Sequence, residues 1–353
     1  MAMYIRSASC ISPQQSFGAA VLPATEISLT ANKVNAIEPD YKTHLNIPAA
    51  RRMSRLIKMG VCAALNCLKD GGVAVPDAII SGTGLGCMED SEKFLASLIT
   101  NNEQTLSPTA FIFSTHNTVA GQVALLLQCN NYNFTHTHRG LSFENTLMDA
   151  KLFLNDNPQA QVLAGATDEV TETSFKILQR LGAVKKETIG TESIKTPTSS
   201  GTVAGEGSAF FLINSTANEN ALAKISGLTT FSNPANENEI HSNIHRFVSD
   251  HHITENDLIL YGFNGDVKGD GIYTEVKKKF FESNPAGYFK HLCGEYHTST
   301  AFASWIAALM LKNQQVPGYV LLNNQPSRGE LNRVLIFNHY KGREFALILL
   351  EKC

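Results

Sequence analysis

Apolar residues along this chain follow two spacings, one helical and one strand-like, and segments of the two kinds succeed each other through most of its length. Residues 51–69 (RRMSRLIKMGVCAALNCLK) place Met53, Leu56, Gly60, Val61, Ala64 and Leu68 at helical spacing. Arg51, Arg52, Arg55 and Lys58 fall on or near the other side, which predicts an amphipathic helix with a basic face. Residues 78–81 (AIIS) meet Gly82, Gly84 and Gly86, so a buried strand is expected to end there in a glycine-rich turn. Helix is expected over 118–127 and 142–154, and strand over 132–138 and 161–166. Strand, helix and strand in such short order imply a parallel crossover.

After Gly205, residues 208–213 (SAFFLI) read as another apolar strand, and the polar stretch 214–220 is the best place for a boundary. The chain therefore divides into 1–215 and 216–353. The second part repeats the style of the first: a strand at 257–261, a glycine loop, helices around 274–281 and 300–311, and strands near 333–338 and 344–350. The whole reads as layered α/β, although no sequence repeat is convincing.

Composition narrows the function classes. With 353 residues and 43% hydrophobic content the chain can bury a sizeable core, which argues against a disordered or fibrous protein. A net charge of −3, with no like-charge block at either end, points away from nucleic acid as a partner. The first residues (MAMYIRSASCISP) carry Arg6 and no apolar run long enough for a signal peptide or membrane span, so a cytoplasmic location is expected. The seven cysteines are odd in number and lack C-x-x-C spacing, which suits reduced, buried thiols.

Six tracts, taken in order, resemble the β-ketoacyl synthase branch of the thiolase superfamily, and the match spans nearly the whole chain. They are SGTGLG (81–86), SPTAFIFSTHNTVAGQVALLLQCNNYNFTH (107–136), VLAGATDEV (162–170), GEGSAFFL (205–212), KHLCGE (290–295) and a closing VLIFN. The resemblance implies a thiolase-like α/β fold of five alternating αβαβα layers, built from two duplicated βαβαβαββ halves. In active members a strained turn carries a cysteine that takes the acyl chain as a thioester. Counting from Asn131 and Tyr132 puts His138 at that place. An acyl-imidazole hydrolyses readily, so the condensing nucleophile is lost.

Two family histidines stabilise the enolate formed when malonyl-carrier loses carbon dioxide, which requires donors aimed at developing negative charge. The first sits in a His-Gly-Thr motif after a strand. Here Asn264 followed by Gly265 is the preferred match, and a gapped alignment selects Gly262. The second follows Lys-x-x-x-Gly, and here Lys290 to Gly294 is followed by Glu295, with His297 two residues late. Asparagine can donate; an ionised glutamate opposes the charge. The family's glycine-rich tail is replaced by residues 338–342 (NHYKG).

Family proteins that keep this fold without the cysteine resemble chain-length factors, which pair with an active ketosynthase. The tracts His-Arg-Gly and Gly-Glu-Tyr look like the ketosynthase-like subunits of aryl-polyene or flexirubin-type pigment systems. The resemblance thus implies a subunit of fatty-acid, polyketide or aryl-polyene-type biosynthesis that shapes an acyl tunnel. Its partners would be an active ketosynthase, or a second copy, and an acyl carrier protein; no cofactor is implied beyond the carrier's phosphopantetheine arm. Two other readings stay open: an enzyme using His138, Asn264 and Glu295 for decarboxylation or acyl transfer, and a homodimeric acyl-binding protein.

Other residues carry narrower expectations. His136 and His138 share a strand face and could seat a metal with Glu295 or His297, but a hydrogen-bonded pair is the plainer reading and no metal is expected. A His138–Glu295 dyad could move protons if the fold brings the two together. Arg139 would bind a carboxylate or phosphate, or, by preference, brace the turn. Cys129 and Cys293 read as small buried apolar residues. Arg51, Arg52, Arg55 and Lys58 would dock an acidic carrier protein or form a solvated face. Asn264, Asp266 and Asp270 suggest a calcium loop, but its remaining ligands are absent.

Overall fold

The apolar runs become strands. The structure, a computed structural model, describes residues 2–28, 30–45, 47–217, 220–322 and 329–353. Among these the strands are β1 (Met3–Ile11), β2 (Ala78–Gly82), β3 (Tyr132–His136), β4 (Val162–Asp168), β5 (Gly207–Asn214), β6 (Ala223–Ser232), β7 (Leu258–Tyr261), β8 (Ala286–Tyr288), β9 (Arg333–Tyr340) and β10 (Glu344–Glu351). β2, β4, β5 and β7 are buried at every residue, as continuous apolar runs require when both faces of a sheet are covered.

The longer helices are α1 (Arg55–Gly71), α2 (Met88–Thr100), α3 (Pro108–Phe113), α4 (Thr118–Leu127), α5 (Ser142–Asp156), α6 (Glu172–Arg180), α7 (Glu237–Asp250), α8 (Val267–Phe280) and α9 (Ser299–Asn313). The helix expected from residue 51 begins at Arg55, because Ser54 is extended and Arg51 and Arg52 lie in a turn. It ends where Gly72 takes a left-handed φ of 66° and donates its N–H to Leu68 and Lys69. β3 stops at His136, short of the expected 138, and α8 starts at Val267 on an Asp266 cap, well before the expected 274. The helix expected after the glycine-rich turn is α2; the pattern reading missed α3, α6 and α7, the first two of which bury no residue, so their core-facing signal is weak.

The strand order is β3-β2-β4-β5-β1-β6-β10-β9-β7-β8. Counted from its own first strand, each half has the same order, 3-2-4-5-1, and the halves join edge to edge where Met3–Ile5 pairs antiparallel with Ala223–Ile225. The duplication is thus plain in topology although invisible in residue identities. Both half-sheets put one face on α5 and α9, which share a single core with β2, β4, β7 and β9. α1 and α4 cover the outer face of the first half, and α7 and α8 that of the second. This is the five-layered αβαβα arrangement. α9 is buried from Ser299 to Leu311, as a helix enclosed on all sides must be.

Candidate functional site

A cavity of about 460 Å³ opens outside the carboxyl ends of β4, β7 and β9, where loops of an α/β sheet diverge and leave room for a ligand. Leu85, Leu178, Leu181 and Ile272 give apolar lining, and Asn264, Glu295, His297 and Tyr340 give polar lining.

Three of the expected residues meet here. Asn264 Nδ2 donates to Glu295 Oε2 at 2.6 Å, and Lys290 Nζ, fully buried, donates to the same oxygen at 2.7 Å. Glu295 Oε2 thus takes one hydrogen bond from an amide and one from an ammonium, so this carboxyl is paired with a buried cation at the cavity wall. Asn264 is locked in place: its Oδ1 accepts from the Asp266 N–H, and Asp270 accepts from the N–H groups of Asn264 and Gly265. Both Asp270 oxygens are thus occupied by backbone donors, which removes the calcium-loop reading, and burial pushes its carboxyl up to about 6.

His297 lines the cavity with its ring 4.8 Å from that of Tyr340, and its nitrogens have no hydrogen-bond partner among the described residues. Burial pushes its proton affinity below the ordinary histidine value. His339 Nε2 donates to the Gly269 carbonyl at 3.1 Å while Nδ1 accepts from the Gly342 N–H, which fixes a neutral ring. Burial, with the Lys290 charge, pushes it down to about 3. Asp168 ties the walls together by accepting from Thr83, the Gly84 N–H, and both the N–H and hydroxyl of Thr298.

His138 does not join them. It is exposed and outside the cavity lining, its Nδ1 is 3.0 Å from Asn145 Nδ2, and its N–H donates to Ser142 Oγ. The barrier is the β9–β10 hairpin: Gly140 donates to Glu344, and a Cβ on Gly140 would stand 2.4 Å from Tyr340 Cβ. Tyr340 therefore packs against the turn on one side and lines the cavity on the other, and no His138–Glu295 dyad forms. Arg139 holds a φ of 45°, so the turn keeps a strained residue, one position after the expected one. Ser142 and Glu344 brace this turn, and the Arg139 guanidinium has no partner among the described residues, contrary to the preferred expectation. His136 is held by Asp149 at 2.9 Å, and the described residues contain no group of three metal-ligating side chains.

None of the seven cysteines lines the cavity. Burial pushes Cys10, Cys62, Cys67 and Cys87 up to about 12 and Cys293 well above its ordinary value, so these thiols are inert. Cys129 and Cys293 are buried, as expected.

The basic docking face is smaller than the sequence implied. Arg55 turns inward and forks onto Glu206, with Nη1 to Oε2 at 2.7 Å and Nη2 to Oε1 at 2.5 Å, and it also pairs with Glu38. Arg51 and Arg52 are exposed and Lys58 is half-buried.

Sequence reasoning missed Glu144, a first-turn residue of α5 that looks like any solvent-facing helix-start carboxylate. It is fully buried beside Thr300, and burial pushes it up to about 7. The folded chain keeps this proton to a higher pH than the unfolded chain, so stability falls as pH rises from the ordinary carboxyl range through about 7. Urea unfolding at pH 5 and pH 8 is expected to show a smaller loss for Glu144→Gln than for the parent, by roughly 3 kcal/mol. Equal losses would mean that Glu144 titrates normally.

The family described as "Beta-ketoacyl synthase, N-terminal domain" matches residues 28–251. No curated protein matches the chain. Among solved structures, the ishigamide ketosynthase/chain length factor superposes with a TM-score of 0.77 at 14% identity, covering 100% of this chain and 99% of that one. A β-ketoacyl synthase from Burkholderia phymatum STM815 gives 0.76 at 16%, with 100% and 99% covered. The ketosynthase ApeO in complex with its chain length factor ApeC, from Xenorhabdus doucetiae, gives 0.72 at 14%, with 100% and 98% covered. At these identities the structures speak for the fold, and the family match, which takes in more than half of the residues, speaks for membership: the chain belongs to the β-ketoacyl synthase family.

Proposed function

We propose that this chain is a non-condensing, ketosynthase-like subunit of the chain-length-factor type that works beside an active ketosynthase on carrier-bound acyl chains. The observation that carries the reading is the cavity's chemistry. Its lining holds no thiol, the turn carrying His138 packs against Tyr340 outside it, and its Glu295 carboxyl is paired with Lys290; we read that turn as the acylation turn and Glu295 as standing in for an electrophile-polarising imidazole. Neighbouring structures include a ketosynthase with its chain length factor and a type II polyketide synthase carrier protein in complex with its ketosynthase. An aryl-polyene or flexirubin-type pathway and a cytoplasmic location fit this reading.

The docking edge for the ketosynthase is β3. Its outer edge has no strand partner among the described residues, whereas β8, its counterpart in the second half, is bridged by Leu321 and ends in the buried Tyr288. Tyr132 (40% exposed), Phe134 (47%) and Leu125 (68%) make that side apolar, and an open apolar edge strand is a template for pairing with another chain. Phe134→Glu is expected to abolish co-purification with the ketosynthase while leaving the unfolding midpoint unchanged.

The carrier would approach the cavity mouth on α6, where Ile177 (53% exposed) and Leu181 (75%) adjoin Lys176 and Arg180, with Arg51, Arg52 and Lys58 as a second basic patch. The deciding experiment is intact-mass analysis after incubation with acyl-carrier and malonyl-carrier, with and without a candidate ketosynthase. The expected result is a stable acyl adduct on the ketosynthase alone. An adduct or a condensation product from this chain alone would defeat the proposal. A monodisperse homodimer that binds acyl chains and ignores the ketosynthase would support the binding-protein reading instead.

A further inference from the structure

The outer face of the second half carries a groove unrelated to the cavity. It lies between α7 and the carboxyl end of α8, a shallow, open depression of about 710 Å³. The pattern of α7 explains it: Ile240, Ile244 and Phe247 go into the core, which leaves Ser242, His245, Arg246 and Ser249 on the exposed side. α8 ends in Lys277, Lys278 and Lys279, cations placed where a helix terminus favours them, and then Phe280.

One of these cations is held in position. His241 Nε2 lies 2.9 Å from Glu275 Oε1, and its Nδ1 lies 2.7 Å from Lys279 Nζ. An ammonium can only donate, so Nδ1 accepts and Nε2 carries the proton, donated to Glu275. The neutral imidazole thus anchors Lys279 at the groove wall while its remaining N–H groups stay available. Across from it, His245 and Arg246 line the groove, exposed and without a hydrogen-bond or ion-pair partner among the described residues. Asp250 is the one acidic side chain in the lining. The lining thus holds two cations, Arg246 from α7 and Lys279 from α8, against one carboxylate.

We propose that the groove binds a phosphate ester. A tetrahedral anion with several acceptor oxygens can take hydrogen bonds from Arg246 and His245 on one helix and Lys279 on the other at once, and arginine is suited to such multidentate contact. A carboxylate carries one charge and two oxygens, against nearly two charges and three free oxygens for a phosphate monoester, so it gains less from two cations. The groove is also larger than a phosphate alone, so the organic part of the ester has room against the half-buried ring of Phe280. The proposal is independent of the acyl-chain reading, because none of these residues lines the cavity.

Isothermal titration of the full chain with ADP, inorganic phosphate and acetate at low ionic strength tests it. The expected result is saturable binding of ADP, weaker binding of phosphate and none of acetate. Arg246→Glu is expected to weaken ADP binding by at least about tenfold, and Lys279→Met to do the same from the other helix, consistent with charge-assisted contacts. Arg246 is exposed, so its variant is expected to keep the parental unfolding midpoint and thereby report on binding alone. Absence of saturable ADP binding, an unchanged affinity in both variants, equal affinity for acetate, or preference for an oligonucleotide over ADP would each overturn the proposal.

Discussion

His138→Cys is expected to yield a chain with a reactive surface thiol and no condensation product. Three features of the site lead to this result. The side chain at 138 is exposed, so a thiol there would react with iodoacetamide but would not face the cavity. Tyr340 packs on Gly140 and closes the short route from the turn to the cavity. Inside the cavity, Glu295 is held by Lys290 and Asn264, and on the proposed alignment it opposes the negative charge that decarboxylation develops. On the proposed alignment, a carboxylate in place of one oxyanion donor lowers malonyl-carrier decarboxylation by about a hundred- to a thousandfold. Adding Asn264→His and Glu295→His to His138→Cys is expected to restore part of the decarboxylation and still little condensation. Product from the single variant, followed by mass spectrometry, would show that the turn does reach the cavity.

Arg55→Met is expected to destabilise the fold by about 3 to 5 kcal/mol, because it leaves the Glu206 carboxylate buried with its opposite charge removed. Glu206 has no exposure to solvent, and without Arg55 its hydrogen-bond donors among the described residues are the Ala36 and Val170 N–H groups. The double variant Arg55→Met with Glu206→Leu is expected to recover most of that loss, since no charge then stays buried. Alanine at Arg51 and Arg52 is expected to shift stability by less than about 0.5 kcal/mol, as these side chains are exposed. Urea midpoints for the set separate a structural arginine from a docking one. If Arg55→Met kept the parental midpoint and lost carrier binding, the basic-face reading would be restored.

Much of the fold was legible before any coordinates. The apolar runs at 78–81, 161–166 and 208–213 became buried strands, and the amphipathic stretch after Arg55 became α1, because burial periodicity is a local property. The Asn264–Lys290–Glu295 meeting was also within reach, through tracts whose order resembled a family. The position of the residue-138 side chain was not, since it depends on a hairpin two hundred residues downstream: the Gly140–Glu344 hydrogen bond spans 204 positions. Arg55 was misread for the same reason, as its partner Glu206 lies 151 positions away.

The amino-acid order alone determined which chemical groups this protein owns. Its sequence sets His138, Asn264 and Glu295 in the tracts that resemble the family's site, and it holds segments that must be buried on one face or on both. Only the tertiary structure decided which of those groups meet. Burial set the protonation of Glu144 and His339, and packing placed Tyr340 between the turn and the cavity. The duplication of the halves emerged as shared topology, because many different side chains satisfy one pattern of burial.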